Sequence, residues 1–378
     1  MQYHSPLTHT SPPTGHMPMF EKPPKTVCLL RLSAIGDCCH VLPVLRTLQN
    51  AWPDTDFTWI IGATEAAVLG DIPGVHFITV DKSRTLRSLA AVRRELRSKP
   101  FDLLLHMHPN LRANLLSLNV KARIRLGFDG ARAKDGQRLF TNAQIPAGDR
   151  QHVMDGFFEF ARTLGIADRD LRWDIPISDA DRAFAERHIP EGQPVLVISP
   201  CSSPRRGRRL NVRNWRAERY ATVADNAISA HGARIILTGD ASSTSRAMAD
   251  DVRTHARGDV TDLTGQTTLK QLLAIIESAT ALLCPDSGPA HMGTAVGTPV
   301  IGLYAGTNPE RAGPYLSGDF TLNRYPEAVQ QELRQTVDEV AWGTRLHNPE
   351  IMDLISVDEV CEQVDRVFAS APDPCEQH

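Results

Sequence analysis

The sequence predicts two α/β units, each a parallel sheet covered on both faces, with a cleft between them. Three observations carry this. Short apolar runs of strand length alternate with amphipathic helical stretches from residue 27 to about residue 105. The same alternation restarts at residue 194. And 378 residues are too many for one ordinary core but comfortable for two.

The first unit opens with Val27-Cys28-Leu29-Leu30-Arg31-Leu32, an apolar strand. Ser33 to Gly36 is a turn, and Asp37 opens a helix to about Leu48, with Val41, Leu42, Leu45 and Leu48 on one face. Phe57 to Ile61 is a strand, Ala66 to Leu69 a short helix and Val75 to Val80 a strand. Leu86 to Ser98 is a basic helix, and Phe101 to Leu105 the next strand. In the second unit, strands are expected at Pro194–Ser199, Arg234–Thr238, Ala281–Cys284 and Pro299–Leu303. Helices are expected at Trp215–Ala230, Ser243–Arg253, Leu269–Ala279 and Pro289–Val296, with a closing helix at Val357–Phe368 that fits either unit. Strands separated by helices imply parallel pairing, and ligands of such sheets bind at the carboxyl ends of the strands.

These boundaries divide the chain into a tail at 1–24, a Rossmann-like unit at 25–175, a linker at 176–193, a second Rossmann-like unit at 194–330, a helical segment at 331–369 and a tail at 370–378. The first tail is rich in Pro, His, Ser and Thr and is expected to be disordered. No apolar run approaches the roughly 20 residues of a membrane span. The start lacks the apolar stretch of a secretory signal. Seven cysteines without CxxC spacing point to reduced thiols and a cytoplasmic protein.

Net charge is −3 but uneven. Residues 25–150 hold 18 Lys and Arg against 11 Asp and Glu, a net of +7, which leaves −10 for the remainder. The first unit is therefore suited to an anionic partner. Charge alone leaves nucleic acid, phospholipid and phosphorylated glycolipid open, along with simple scatter over solvated helix faces.

Three segments could carry chemistry. The turn Ser33-Ala34-Ile35-Gly36-Asp37 has only one glycine, so it is neither a dinucleotide fingerprint nor a P-loop. Asp37 there is either a helix cap or a general base facing the cleft. The segment from Cys201 to Trp215 holds Ser202, Ser203 and the arginines 205, 206, 208, 209 and 213 ahead of a helix, a pattern that suits phosphate oxygens or a solvated basic loop. Pro285-Asp286-Ser287-Gly288-Pro289-Ala290-His291 ends a buried strand and starts a helix. With Pro289 in the first turn, the amides around Ser287 and Gly288 can bind an anion, and His291 can donate to a phosphate or sugar oxygen. No G-x-S-x-G elbow supports a hydrolase. His106 and His108 lack acid or thiol partners at ligand spacing, so no metal is expected.

In this order, Leu30-Arg31-Leu32-Ser33-Ala34-Ile35-Gly36-Asp37 and Pro285-Asp286-Ser287-Gly288-Pro289-Ala290-His291, followed by Gly297-Thr298-Pro299 through Gly306, resemble the two signatures of glycosyltransferase family 9. That family comprises the ADP-heptose:lipopolysaccharide heptosyltransferases, and the likeness covers about residues 26 to 310. It implies a GT-B architecture and inverting, metal-independent transfer with no cofactor. ADP-heptose would be the donor and a Kdo–lipid A type glycolipid the acceptor. It further implies a cytoplasmic enzyme in transient contact with the inner membrane, and no nucleic-acid partner. Carried over residue by residue, Asp37 is the base. Ser202, Ser203, Arg213, Asp286, Ser287, Gly288 and His291 hold the donor, and Arg31 and Arg132 face the acceptor. The pattern His106-Met107-His108 with Arg123 to Asp129 looks closest to members that add the first heptose to Kdo. Two departures stand out: the arginine-rich loop is long, and Ser242-Ser243 stands where some members hold the donor ribose with an acid. The alternatives are another sugar transfer within the family, as in O-antigen assembly, and a non-catalytic nucleotide-sugar or glycolipid binding protein.

Overall fold

Strand β1 (Thr26–Leu30) is the axis of the first unit. Its apolar side chains are buried on both faces, which is why it reads as a continuous hydrophobic run. The computed structural model describes residues 19–97, 99–202, 212–348 and 350–370. After β1 come α1 (Ile35–Ala51), β2 (Asp56–Gly62), α2 (Ala63–Leu69), β3 (Val75–Val80), α3 (Thr85–Leu96), β4 (Phe101–His106), α4 (Leu111–Ser117), β5 (Ala122–Gly127), β6 (Ala143–Gln144) and α5 (Val153–Thr163). The sheet order is β3-β2-β1-β4-β5-β6 with every pair parallel.

Helix α6 (Asp179–Glu186) leads into the second unit. There follow β7 (Val195–Ile198), α7 (Ala217–His231), β8 (Arg234–Leu237), α8 (Ser243–His255), β9 (Val260–Asp262), α9 (Leu269–Glu277), β10 (Ala281–Pro285), α10 (Gly288–Val296), β11 (Val300–Tyr304), α11 (Pro309–Ala312), β12 (Leu322–Asn323), α12 (Tyr325–Leu333) and α13 (Val357–Ser370). This sheet repeats the first, in the order β9-β8-β7-β10-β11-β12, again all parallel. In each sheet the strand order reverses beside the first strand of the unit. The crevices where ligands bind such folds therefore lie after β1 and β4 and after β7 and β10. All three chemistry-bearing segments fall on those edges.

Several elements differ from the sequence reading. Asp37 is not the N-cap residue of α1, but it serves the cap from the third helical position, where its carboxylate accepts the Ala34 amide. The helix starts at Ile35 with Ala34 as its cap residue, so Asp37 is the third helical residue. The expected linker contains α6, whose Ala185 is buried and which packs against α9. Helix α13 packs on α7 and so belongs to the second unit. Residues 19–24 are packed rather than loose: Phe20 sets its ring edge-on to Trp52 and Thr55 Oγ1 donates to Pro24 O at 2.6 Å. The short strands β6, β9 and β12 and the half-charged β5 were not read from the sequence. Two or three residues show no periodicity, and Ala122-Arg123-Ile124-Arg125 alternates with charge.

One hydrophobic cluster runs through both units. It joins α1 and α5 of the first to α9, α10 and the inner faces of β7 and β10 of the second. A second cluster lies under α7, α8 and α13, and a third under α3 and α4 on the outer face of the first sheet. Residues 334–348 strap the second unit to the first: Arg150 donates to Val337 O, Asp338 O and Val340 O, and Trp342 Nε1 donates to Gln151 O at 2.8 Å. Lys270 reaches Asp71 and Pro176 O from the other side. Among the described residues no helix is long and apolar enough to cross a membrane.

Trp215 anchors the start of α7. It is wholly buried, packs edge-on against Tyr220 and donates Nε1–H to Ile355 O at 3.1 Å. Trp215→Phe leaves a small void and removes one of the two donors to Ile355 O, the other being Arg219 Nη1 at 2.7 Å. It should cost about 1–3 kcal/mol in urea unfolding. An unchanged midpoint would show that the contact between α7 and the residues before α13 does not need this anchor.

Candidate functional site

The turn after β1 is held from three sides. Trp59 Nε1 donates to Arg31 O at 3.2 Å, Leu32 N donates to His108 Nδ1 at 3.0 Å, and Gly62 N donates to Leu32 O at 3.1 Å. Arg31 is turned inward. Its guanidinium donates to Met107 O at 2.7 Å, lies over the Phe157 ring and is ion-paired with Asp37. Asp37 Oδ2 takes that bond and a second from Ala34 N at 3.3 Å. Its Oδ1 has no hydrogen-bond partner among the described residues, and the side chain is about one-third exposed (32%). The carboxylate thus has one oxygen fixed, by Arg31 and by the capping bond to Ala34 N, and one open.

The second unit meets this turn with the start of α10. Ser287 is the cap residue, with no side-chain cap bond, and Pro289 lies in the first turn. Neither the Ser287 nor the Gly288 amide donates to a described residue, so the positive end of the helix is open. The Ser287 hydroxyl is buried beside the Cys284 thiol without a partner of ordinary geometry. Helix α1 packs on α10, with the His291 ring against Gly36 and the Ile35 side chain beside Gly288. A Cβ on Gly36 would run into the His291 ring, and one on Gly288 would only touch Ile35 at 3.8 Å.

Arg213 donates to Asp286 O at 2.9 Å and pairs with Asp286 Oδ2 at 3.2 Å, both side chains being mostly buried. The two sit after β7 and β10, at the crevice of the second sheet. Ser202 N and Oγ both donate to Asn214 Oδ1 at 2.9 Å, which brings together the two ends of segment 203–211. Ser203 and the arginines 205, 206, 208 and 209 lie outside the described residues. Arg132 is bound to Asp129 and donates to Pro146 O, so it shapes the loop after β5.

Three groups escaped the sequence reading. Arg345, in the strap, is solvent-accessible but stands in a recess where desolvation lowers its pKa and the Asp37 carboxylate raises it. It makes no hydrogen bond or ion pair among the described residues. No local pattern marks it, because only the crossing of the strap brings it to Asp37. Asp240 follows β8, and its Oδ1 accepts from Ser242 Oγ at 2.5 Å and Ser245 Oγ at 2.6 Å. An acid does therefore stand at this turn, two residues before Ser242, and Thr238-Gly239-Asp240 directly after an apolar strand was the signal for it.

The third group is a set of histidines between the units, in which His291, already named from the sequence, meets His40, and His40 meets His152, neither of which was. His40 on α1 lies edge-on to His291 at 4.6 Å and to His152 at 5.2 Å between ring centroids. His152 Nδ1 accepts from Met154 N, and its Nε2 lies 3.1 Å from Gly313 O. Both bonds are made at once only by the neutral ring with its proton on Nε2. Burial lowers the pKa of all three, His152 to about 4, with the neighbouring His291 and Arg311 adding to the effect there. Among the described residues no group of three or more His, Cys, Asp or Glu is arranged to hold a metal ion.

The model of glycosyltransferase family 9 (heptosyltransferase) matches residues 89–339. The lipopolysaccharide core heptosyltransferase OpsX of Haemophilus influenzae is 38% identical over 351 residues, 93% of this chain and 99% of that protein. Among solved structures, the glycosyl transferase family 9 protein of Veillonella parvula has a TM-score of 0.74 at 21% identity, covering 92% of this chain and 98% of its own. Escherichia coli heptosyltransferase WaaC with ADP has a TM-score of 0.69 at 18% identity, covering 90% and 99%. These two likenesses establish a common fold.

The buried histidines set a pH dependence. Their folded pKa values lie below the ordinary 6.5, so below that pH the unfolded chain binds more protons. Stability is full above about pH 6.5 and declines as pH falls toward about 4, with His152 alone contributing on the order of 3 kcal/mol. Urea midpoints should drop over this window in the native protein, and less steeply in His152→Gln. Equal slopes would show that His152 is not held neutral.

Proposed function

The chain belongs to glycosyltransferase family 9, and on that premise we propose that it transfers heptose from ADP-heptose to a Kdo or inner-core sugar of a lipopolysaccharide precursor, with inversion and without a metal. The observation that carries this reading is the open Oδ1 of Asp37 in the first unit, set against the uncapped start of α10 in the second. The identity to OpsX over nearly its whole length supports the substrate class.

In this reading the donor diphosphate lies at the start of α10. The Ser287 and Gly288 amides and the Arg213 guanidinium face it, and Arg345 approaches from the strap. Asp240 after β8 has the position from which an acid holds a ribose in doubly wound folds. The acceptor hydroxyl donates to Asp37 Oδ1. Its oxygen attacks the anomeric carbon from the face opposite the diphosphate. The bond from that carbon to the phosphate oxygen breaks, the electron pair leaves on ADP, and the proton ends on Asp37. The transition state is oxocarbenium-like, so the protein must neutralise the leaving diphosphate and keep water away. Arginines and helix amides supply the positive charge. Arg31 positions the base, since it fixes Oδ2 and leaves Oδ1 to the acceptor.

Asp37→Asn separates this reading from a structural one. Asn still accepts the Ala34 amide but cannot take the proton, so kcat should fall about 10²–10⁴-fold while ADP binding is kept and the thermal midpoint drops only by the loss of the ion pair with Arg31. Near-native turnover would remove Asp37 as base. ADP release that depends on acceptor marks a transferase, whereas donor binding without release marks a binding protein.

The donor site has its own test. Arg213→Ala should weaken ADP binding by roughly 1.5–3 kcal/mol through lost charge-assisted bonds, and Ser287→Pro should weaken it by removing an amide. Native affinity in both variants, read by calorimetry, would place the donor elsewhere.

A further inference from the structure

The outer face of the first sheet carries two helices, α3 and α4, over the same hydrophobic cluster. Their inner residues are conventional: Val92, Leu96, Ala113, Leu116 and Val120 are buried. Their outer residues are not. On α4 and its C-terminal turn, Leu111, Leu115 and Leu118 are 56%, 46% and 66% exposed. Their spacing of four and three puts all three on one side of the helix. Leu139 is 87% exposed on the neighbouring turn. That turn is fastened to α4, because Asn114 Nδ2 donates to Asp135 O at 2.9 Å and Leu111 N donates to Asp135 Oδ2 at 2.9 Å. Four leucines thus stand in water on a fixed surface, where single exposed leucines would need no account.

The charge around them is one-sided. Residues 84–139 hold thirteen Lys and Arg against four Asp and Glu, a net of +9 in a chain of net −3. All four acids are engaged: Glu95 with His76, Asp102 with the Lys25 and Thr26 amides, Asp129 with Arg132, and Asp135 with Leu111 N. On α3 the residues Arg87, Arg93 and Arg94 point to solvent, and Lys134 and Arg138 flank Leu139.

We propose that this α3–α4 face docks on the surface of an anionic lipid bilayer, with the leucines in the headgroup layer and the arginines and lysines on lipid phosphates. Apolar tips ringed by cations are what such a surface selects. A second copy would set the exposed cations Arg87, Arg93, Arg94, Lys134 and Arg138 against their own counterparts. Single-stranded nucleic acid would want aromatic platforms, and the exposed apolar side chains here are leucines. The inference rests on the proposed lipid-linked acceptor and names the surface that brings it. Helix α4 begins four residues after Met107, whose carbonyl holds Arg31. The start of α4 and the open oxygen of Asp37 therefore lie at the same edge of the sheet, from which α4 runs back toward the start of β5.

The test is co-sedimentation with vesicles of phosphatidylcholine alone or with phosphatidylglycerol added, in the absence of donor. Native protein should bind the anionic vesicles and be released by salt. Leu115→Glu with Leu118→Glu should lower partitioning at least about tenfold. The single change Leu139→Ser, at a position that cannot unfold the chain, should lower it less. Arg93→Glu with Arg94→Glu should abolish the preference for phosphatidylglycerol. Equal binding by native and leucine variants, or no binding by native protein, overturns the proposal. So does a native dimer that the leucine changes split in analytical ultracentrifugation, since a second copy would then cover the face. Transfer to a lipid-free acceptor sugar should stay native in the leucine variants while transfer to a vesicle-borne acceptor falls. Loss of lipid-free transfer in the native protein would reject the proposed reaction and leave the docking result standing.

Discussion

Two helix starts packed together, with the His291 ring seated on Gly36, are the constraint on which this molecule turns. Gly36 on α1 leaves room for the His291 ring on α10, and any Cβ there would push the units apart. Helix starts carry partial positive charge, so two of them face to face repel unless negative charge lies near. The protein supplies two carboxylates, Asp37 and Asp286, each pinned by an arginine of its own unit, Arg31 and Arg213. The two halves of the site have the same construction. In each, a strand ends, an arginine leans across, and a carboxylate sits at or just before the next helix start. A diphosphate arriving between them would enter a field already shaped for negative charge.

The contact beside this meeting point is made of neutral rings. Charged side chains buried there would cost more than their pairing returns. Aliphatic ones would offer nothing to the Met154 amide and the Gly313 carbonyl, both of which His152 satisfies. Neutral imidazoles fill the space, make directional bonds and keep positive charge out of a region that already holds Arg31 and two helix ends. The same choice makes the seam between the units sensitive to acid.

The strap at 334–348 and the outer face of the first sheet show how function spreads beyond the motifs. The strap carries Arg345 across the cleft toward Asp37, so a cation of the second unit bears on a carboxylate of the first. The outer face carries most of the charge asymmetry that was visible in composition. Arg31 and Arg132, which the family likeness assigned to the acceptor, are ion-paired with Asp37 and Asp129. The positive charge left for an anionic surface is that of α3 and of the residues around α4.

How much of this was legible depended on the range of the interaction. Local periodicity placed most helices and strands, because burial on one face of a helix or both faces of a parallel strand writes itself into successive residues. Strand-end motifs placed Asp37, Arg213 and the Asp286–His291 turn at sheet edges, because a parallel sheet presents the carboxyl ends of its strands to the same side. The sequence by itself thus determined the doubly wound fold, the two units and the segments that line the cleft. Tertiary structure decided which groups are spoken for and which are open. The pairing of Arg31 with Asp37, the free Oδ1, the His40–His152–His291 seam, Arg345 and the leucine face each join residues far apart in the chain or depend on which side of an element faces a neighbour. No spacing rule encodes such meetings, since they follow from how two sheets and a crossing strap pack in space.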